Sequence, residues 1–482
     1  MMNIVVIVID TLRYDHLGTN GNEEIRTPDL DRLAAESWVF DRSYSASYPT
    51  IPHRTDAMTG RYGGPFHPWR PLRFDVHTLP WTLAEMGYAT QLIHDTPHLV
   101  NGGHNFDWPF AACTGISGAE ADRPWITDSL DWPENWRLDP IFDAVGKPPQ
   151  VSDHPLIATY VRANRGRQTS DDWNAARLFS KASEFLIENA KRDRFFLWID
   201  CFDPHEPWEA PPEFMRMYDD TPGYDGSIDP RIFTTHHATI PEPAARRIKA
   251  GYAAKVSWVD HCLGEFMDTI ERTGLRERTA VLVTSDHGTN LGEWGVFGKT
   301  WPVREFEAHT PFIVHVPGLG RGRSDSFVQP QDIFATVMGL AGGAVPDGVE
   351  SFDVLSAARD GRRTPRTFAL SASSADTWQG EPTKTFTMFD GEWCLIMAAR
   401  TRDCQLMRAG TQDDVASEHS EVVERMRTAA LDEIARRGAD PALVEWFRSE
   451  GANPFPKNCP LWDGWPGPAG YKPYFDRLYK DT

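Results

Sequence analysis

Short apolar runs rich in β-branched residues recur along the chain and alternate with longer segments of helical periodicity. Apolar runs of about four to eight residues are typical of strands buried on both faces, whereas apolar positions at i, i+3 and i+4 predict helices. The predicted strands are 4–10, 89–94, 195–202, 280–285 and 311–316. The predicted helices are 27–36, 171–189 and 242–273. This alternation predicts an α/β fold in which helices sandwich a large, mainly parallel sheet.

The pattern changes near residue 360, where the polar segment 360–366 has the composition of a linker. Strands are predicted after it at 367–371, 385–388 and 393–398, followed by a helix at 420–437. We therefore expect a large α/β domain over residues 1–360. A smaller C-terminal α+β subdomain with a tail is expected over residues 361–482. Segments 110–170 and 205–245 lack periodicity and are expected to be long loops or insertions over the edge of the sheet.

Acidic residues follow two of the predicted strands directly. Asp10 ends the first strand, and Asp286 and His287 follow the strand at 280–285. The carboxyl ends of parallel strands meet at one edge of a sheet, so these side chains are expected to lie together. A carboxylate at the end of a buried run is unfavourable unless something offsets its desolvation, and a metal ion would do that. The sequence therefore predicts a metal site at this edge.

Thr50 precedes a segment in which Pro52 favours the first turn of a helix and Arg54 follows. The free N–H groups of such a turn favour negative charge. A hydroxyl placed there beside a cation can lose its proton and act as a nucleophile, and Arg54 could bind an anionic oxygen. A plain helix N-cap is the alternative for Thr50 alone.

Several short segments have the order and residue types of motifs that occur together in one family. They are Asn3–Asp10, Thr27–Ala34, Thr50-x-Pro52-x-Arg54 with Thr59-Gly60-Arg61-Tyr62, Pro204-His-Glu-Pro207, Thr284–Gly288 and Lys299. In this order they resemble the sulfatase branch of the alkaline phosphatase superfamily. The resemblance covers most of the chain, and it implies an alkaline phosphatase-like fold and a metal-dependent hydrolase.

The resemblance also implies roles for individual residues. Asp10, Asp286, His287 and the Thr50 oxygen would hold one divalent cation. Oxygen-rich ligation with one imidazole favours Mn²⁺, Ca²⁺ or Mg²⁺ and leaves Zn²⁺ open. The remaining expected site residues are Arg54 and Lys299 for charge stabilisation, His205 as general acid, and Thr96, His98 and His309 as substrate contacts.

Three departures from the sulfatase pattern concern the reaction. Sulfatases carry a formylglycine made from Cys or Ser where this chain has Thr50, and the methyl group of threonine blocks that conversion. Thr11 stands where many sulfatases have a second Asp. The segment His94–His98 is closer to the hydroxyl-bearing loop of phosphonate monoester hydrolases. We therefore expect Thr50 to act as the nucleophile in hydrolysis of phosphodiesters or phosphonate monoesters.

Two alternatives stay open at this point. One is a sulfate ester hydrolase, which would include the case of Thr50 as an engineered replacement of Cys. The other is an inactive relative that binds an anion without turnover, although the retained Asp10, Asp286 and Lys299 argue against it.

Composition narrows the expected partners. The chain has 49 basic and 69 acidic residues, a net charge of −20, and no basic cluster suited to nucleic acid. We expect a small anionic ester as substrate, no membrane contact and, from the N-terminal residues and the irregularly spaced cysteines, a cytoplasmic protein. A homo-oligomer is compatible with the sequence.

Overall fold

The computed structural model describes most of the chain. The described residues are 2–63, 69–101, 103–120, 122–125, 127, 136–145, 155–229, 240–300, 302–373, 386–439 and 441–449. The C-terminal tail expected from the sequence lies outside them.

Fifteen strands occur in the described residues. They are β1 (Asn3–Ile9), β2 (Trp38–Ser43), β3 (Ser47–Tyr48), β4 (Ala89–His94), β5 (Ala112–Gly115), β6 (Phe195–Cys201), β7 (Thr279–Thr284), β8 (Asn290–Leu291), β9 (Phe297–Gly298), β10 (Phe312–His315), β11 (Gly322–Val328), β12 (Ala369–Ser373), β13 (Phe386–Phe389), β14 (Trp393–Met397) and β15 (Gln405–Arg408). Eight of them form one sheet in the order β11–β2–β10–β7–β1–β6–β4–β5.

The α-helices lie between and after these strands. They are α1 (Pro28–Ala35), α2 (Thr50–Thr59), α3 (Leu79–Glu85), α4 (Pro155–Ala163), α5 (Asn174–Glu188), α6 (Pro212–Tyr218), α7 (Glu242–Arg272), α8 (Glu305–Ala308), α9 (Asp332–Ala341), α10 (Val354–Arg359), α11 (Ser420–Arg436) and α12 (Pro441–Ser449).

The large sheet confirms the expected α/β class. All its neighbouring strands run parallel except β10, which is antiparallel to both β7 and β2. Alternate residues of β1 enter two different cores: Val5 and Ile7 pack under α1, α5 and α7, whereas Ile4 and Val6 pack under α2, α3, α9 and α10. A strand buried on both faces has no polar side, which explains its continuous apolar run.

The two segments expected to be long loops or insertions contain some regular structure, so the description as loops does not hold throughout. Segment 110–170 holds β5 and α4, and segment 205–245 holds α6 and the start of α7. The edge strand β11 and its neighbour β2 were also missed, because both carry charged residues, such as Asp41 and Arg42 in β2, within their apolar pattern.

A second sheet has the order β15–β14–β13–β12–β3. Four of its strands come from residues after 368, and β3 comes from the segment just before Thr50. Helix α11 packs its buried residues Met426 and Leu431 into the same core. This smaller C-terminal unit was expected, while the boundary between residues 360 and 361 stays a prediction. None of the helices in the described part of the chain has the length and apolarity needed to span a bilayer.

Candidate metal centre and active site

Three carboxylates lie on one face of the sheet, at the carboxyl ends of the adjacent strands β7, β1 and β6. Side chains alternate between the faces of a strand, so Asp10 shares a face with Val6 and Val8, and Asp286 shares a face with Leu282. Asp200, within β6, lies on the same face as Trp198, which packs in the core of Val6, Val8 and Leu282. The Asp200 carboxylate accepts a hydrogen bond from Trp198 Nε1 at 3.1 Å. This is the face that α2 covers.

Asp10, Asp286 and His287 form a buried group that fits a metal ion. His287 Nε2 lies 3.8 Å from Asp10 Oδ1 and 3.5 Å from Asp286 Oδ2. These separations are long for hydrogen bonds and suit atoms that share one cation between them. The backbone fixes Asp286 further, because Thr11 N and His287 N donate to its Oδ1 at 3.0 and 2.7 Å.

The hydrogen bonds of His287 leave its second nitrogen available as a ligand. Nδ1 donates to the Gly288 carbonyl at 2.7 Å, so Nε2 is the unprotonated nitrogen. Nε2 and Asp10 Oδ2 have no hydrogen-bond partner among the described residues, although both are buried. A buried ring nitrogen without a partner is unfavourable, and an imidazole held by its other nitrogen is the usual form of a metal-bound histidine.

The charges of the cluster lead to the same conclusion. Arg54, fully buried, lies 3.2 Å from Asp10 Oδ2 and 2.8 Å from Asp200 Oδ1, and its Nη1 contacts Asp286. Three carboxylates face one guanidinium, which leaves two negative charges for a divalent cation to balance. In the protein alone, burial and then Asp286 raise the pKa of Asp10 well above its usual range. The residues present therefore fit a divalent metal.

Helix α2 places Thr50 next to this cluster. Thr50 is the first residue of the helix and is 2% exposed. Its carbonyl accepts from Arg54 Nη1 at 3.4 Å, and the same nitrogen contacts Asp286. The positive end of the helix thus lies beside the metal group. The function expected for Thr50 stays a prediction.

Asp200 is a site residue that sequence reasoning missed. It accepts from Arg54 Nε and Nη2 at 3.2 and 2.8 Å and from Thr96 Oγ1 at 2.6 Å. The predicted substrate contact Thr96 therefore uses its hydroxyl proton on Asp200 and orients Arg54 indirectly. A lone carboxylate inside the apolar strand Phe195–Cys201 was the signal available in the sequence.

His205 and Lys299 are brought together with Glu206, a second residue whose role was missed. Lys299 Nζ donates to His205 Nε2 and to Glu206 Oε1, each at 2.8 Å. All three side chains are at least 89% buried. Burial opposes the charge of Lys299, but Glu206 and then Asp10 hold the pKa of Lys299 above its usual range. Burial lowers the pKa of His205. At neutral pH the proton therefore resides on Lys299.

The loop that carries His205 is fastened to α7. Lys255, 3% exposed, forms an ion pair with Asp203 at 2.7 Å. Its ammonium also donates to the carbonyls of His205 and Pro207 at 2.7 and 3.0 Å. All three donors of the ammonium are used, so the loop backbone has a fixed position relative to the helix.

His98 and His309 occupy different surroundings. His98 Nε2 lies 3.5 Å from Glu120 Oε2, and its ring packs edge-on against Phe202. The Phe202 ring stacks on that of His205, with ring centroids 4.1 Å apart. The ring of His309 instead stacks on Tyr14 and Tyr44, and its Nε2 bonds the Asp41 carbonyl at 2.9 Å. The stacked rings and this hydrogen bond give His309 a structural role. Its expected contact with substrate stays a prediction.

Comparison with known proteins identifies the family. A family model described as Sulfatase matches residues 2–344. The chain belongs to the sulfatase family. A curated relative, the arylsulfatase of Clostridium perfringens, is 27% identical over 387 residues, which cover 73% of this chain and 77% of the relative.

Solved structures show that this sulfatase family member shares its fold with phosphonate monoester hydrolases. The enzyme of Agrobacterium radiobacter has a TM-score of 0.69 at 19% identity, covering 90% of this chain and 96% of that one. The enzyme from Silicibacter pomeroyi has a TM-score of 0.68 with the same identity and coverage. At this identity the likeness concerns the fold alone.

Proposed function

We propose that this sulfatase family member hydrolyses small, singly charged phosphodiesters or phosphonate monoesters, with Thr50 as the nucleophile. The observation that supports this most is the position of Thr50. It opens α2, is buried, and shares Arg54 with the metal-binding group Asp10, Asp286 and His287.

Asp10, Asp286 and His287 would hold one divalent cation together with the Thr50 oxygen. The donor set is mainly oxygen with one imidazole, which favours Mn²⁺, Ca²⁺ or Mg²⁺. When bound, such a cation supplies Lewis acidity, which lowers the pKa of a ligated hydroxyl and polarises a phosphoryl oxygen.

The protein's own residues supply the other requirements of the reaction. The first turn of α2 places Thr50 beside positive backbone dipoles, and Asp200 holds Arg54 rigidly beside the Thr50 carbonyl and the carboxylates. Thr50 Oγ, ionised after its proton has passed to solvent, forms a bond to phosphorus as the bond to the leaving oxygen breaks. That oxygen takes a proton from Lys299, which contacts His205. Water then cleaves the resulting ester of Thr50 and restores that proton.

The pairing of the cationic side chains favours a substrate of one negative charge. Arg54 already faces three carboxylates, and Lys299 is paired with Glu206. Little positive charge is left for the second negative charge of a phosphate monoester, whereas diesters and phosphonate monoesters carry only one.

A sulfate ester hydrolase is the second candidate. A sulfate ester also carries a single negative charge, and the matched family and the arylsulfatase relative favour this substrate. The argument against it is chemical, because Thr50 cannot become the formylglycine that sulfatases use.

A panel of matched para-nitrophenyl esters separates the candidates. The metal-loaded protein would be assayed on a phosphodiester, a phosphonate monoester, a phosphate monoester and a sulfate ester. We expect the highest kcat/KM on the diester or the phosphonate, and a loss of at least about 10³-fold in Thr50→Ala. Preference for the sulfate ester would refute the phosphoester assignment. Metal binding without turnover of any ester would indicate an anion-binding relative.

A further inference from the structure

Glu206 contacts both groups that carry the leaving-group proton. Its Oε1 accepts from Lys299 at 2.8 Å, and its Oε2 lies 3.5 Å from His205 Nδ1. The same Nδ1 donates to the Glu206 backbone carbonyl at 2.8 Å. Glu206 Oε2 has no hydrogen-bond partner among the described residues, and the residue is 5% exposed. This buried carboxylate therefore acts on His205 and Lys299 together.

The donor and acceptor roles within this unit are determined by the chemistry of its members. A lysine ammonium only donates, so His205 Nε2 must accept the bond from Lys299. Nδ1 then carries the ring proton, because it bonds a carbonyl oxygen. His205 is neutral, Lys299 is charged, and one proton lies on the 2.8 Å line between their nitrogens.

Glu206 is the nearest source of negative charge for Lys299. Burial alone would favour neutral Lys299, and Glu206 opposes this more strongly than any other group. Burial also opposes the charge of Glu206, but His205, which is protonated at the low pH where Glu206 titrates, and then Lys299 hold the pKa of Glu206 well below its usual range. Among the described residues, Asp10, Tyr48, Glu120 and His287 also interact with this unit.

We infer that Glu206 is the positioning residue of the acid that protonates the leaving alcohol, an inference that rests on the proposed function. The bond from phosphorus to Thr50 Oγ forms as the bond to the leaving oxygen breaks, and that oxygen takes the proton shared by Lys299 and His205. Glu206 keeps its negative charge throughout and holds both nitrogens in place. The water that cleaves the Thr50 ester returns the proton.

The test uses the dependence of rate on the leaving group. A poor leaving group such as an alkoxide needs protonation, whereas para-nitrophenolate leaves without it. Glu206→Gln keeps the side-chain shape and an oxygen for Lys299 but removes the charge. We expect kcat/KM of the metal-loaded variant to fall roughly 10- to 100-fold on an alkyl phosphonate ester and less than about threefold on the para-nitrophenyl ester. Equal losses on both esters, or no loss on either, would overturn the inference.

The pH profile and a matched control complete this experiment. In Glu206→Gln the pKa of Lys299 falls, so the alkaline limb of the kcat profile moves to lower pH. The control is Glu305→Gln, which changes another buried glutamate that accepts a bond from Gly410 N. It should leave both the leaving-group dependence and the pH profile unchanged.

A measurement without turnover separates this inference from the proposed function. Lysine reacts with acetic anhydride only when neutral, so peptide mass spectrometry of labelled protein across pH reports the pKa of Lys299. The half-labelling pH should be lower in Glu206→Gln than in the parent, even if no tested ester is hydrolysed. An unchanged half-labelling pH would refute the role of Glu206, whereas inactivity of the parent on all esters would refute the function only.

Discussion

Replacing Gly288 with alanine should weaken metal binding through His287. A Cβ at this position would overlap the backbone oxygen of Phe306 and lie 2.8 Å from Arg13 Cγ. Backbone cannot move aside as a flexible side chain can, so Gly288 itself must shift. Its carbonyl holds His287 Nδ1 at 2.7 Å, and its N–H donates to the Glu307 carbonyl at 2.6 Å. The shift therefore disturbs the bond that orients the imidazole.

The size of the effect follows from the contacts that change. Overpacking of this kind costs about 1–3 kcal/mol of folding stability. Loss of the outer hydrogen bond of a metal-bound histidine weakens metal affinity by about 10- to 100-fold. That range corresponds to about 1.4–2.7 kcal/mol of binding free energy.

Titration calorimetry with Mn²⁺ measures this change directly, beside thermal unfolding in the presence of a chelator. Gly166→Ala is the matched control, because a Cβ there has no atom within 4 Å. It should leave Mn²⁺ affinity unchanged. A dissociation constant of Gly288→Ala within about twofold of the parent value would refute the view that the Gly288 carbonyl orients a ligand.

Three further predictions concern the surroundings of the centre. Arg54→Met leaves three buried carboxylates facing no guanidinium and should lower the free energy of unfolding in urea by about 3–5 kcal/mol without metal. Excess Mn²⁺ should recover part of that loss, and no recovery would contradict the charge argument. Lys255→Met frees the loop that carries His205 and should lower kcat about tenfold or more with Mn²⁺ affinity unchanged. An equal loss of metal binding would contradict the view that Lys255 positions this loop alone. Burial lowers the pKa of His309 to about 4, below its unfolded value near 6.5, so the unfolded state binds the proton first and stability falls as pH drops from about 6.5 to 4. His309→Phe should flatten the urea-derived stability profile in that window, and an unchanged slope would contradict the assignment.

The metal group could be predicted from the sequence because its residues follow apolar runs directly. Asp10 and Asp286 come at the ends of such runs, and a carboxylate at the end of a buried strand is unfavourable unless a positive charge lies beside it. Asp200 and Glu206 could not be assigned in the same way. Their importance depends on contacts with Arg54 and Lys299, which are distant in sequence and meet only in the folded chain.

The elements of the fold were likewise predictable where their pattern is local and not where they depend on distant contacts. Strands β1, β6 and β7 are buried on both faces and have unbroken apolar runs, so they were predicted within two residues of their bounds. Strand β2 pairs β10 and β11 while carrying charged residues, and periodicity alone does not distinguish it from a loop. The two residues of β3 join the second sheet only through tertiary pairing with β12.

Metal stoichiometry tests the central claim most directly. The parent and His287→Ala, each freed of metal and dialysed against Mn²⁺, would be compared by elemental analysis. His315→Ala serves as control, because the ring of this partly exposed histidine bonds the Glu36 carbonyl at 3.3 Å and takes no part in the metal group. We expect one equivalent of Mn²⁺ in the parent and in His315→Ala, and a large loss in His287→Ala. Equal Mn²⁺ in His287→Ala and the parent would contradict the claim that Asp10, Asp286 and His287 form the metal centre.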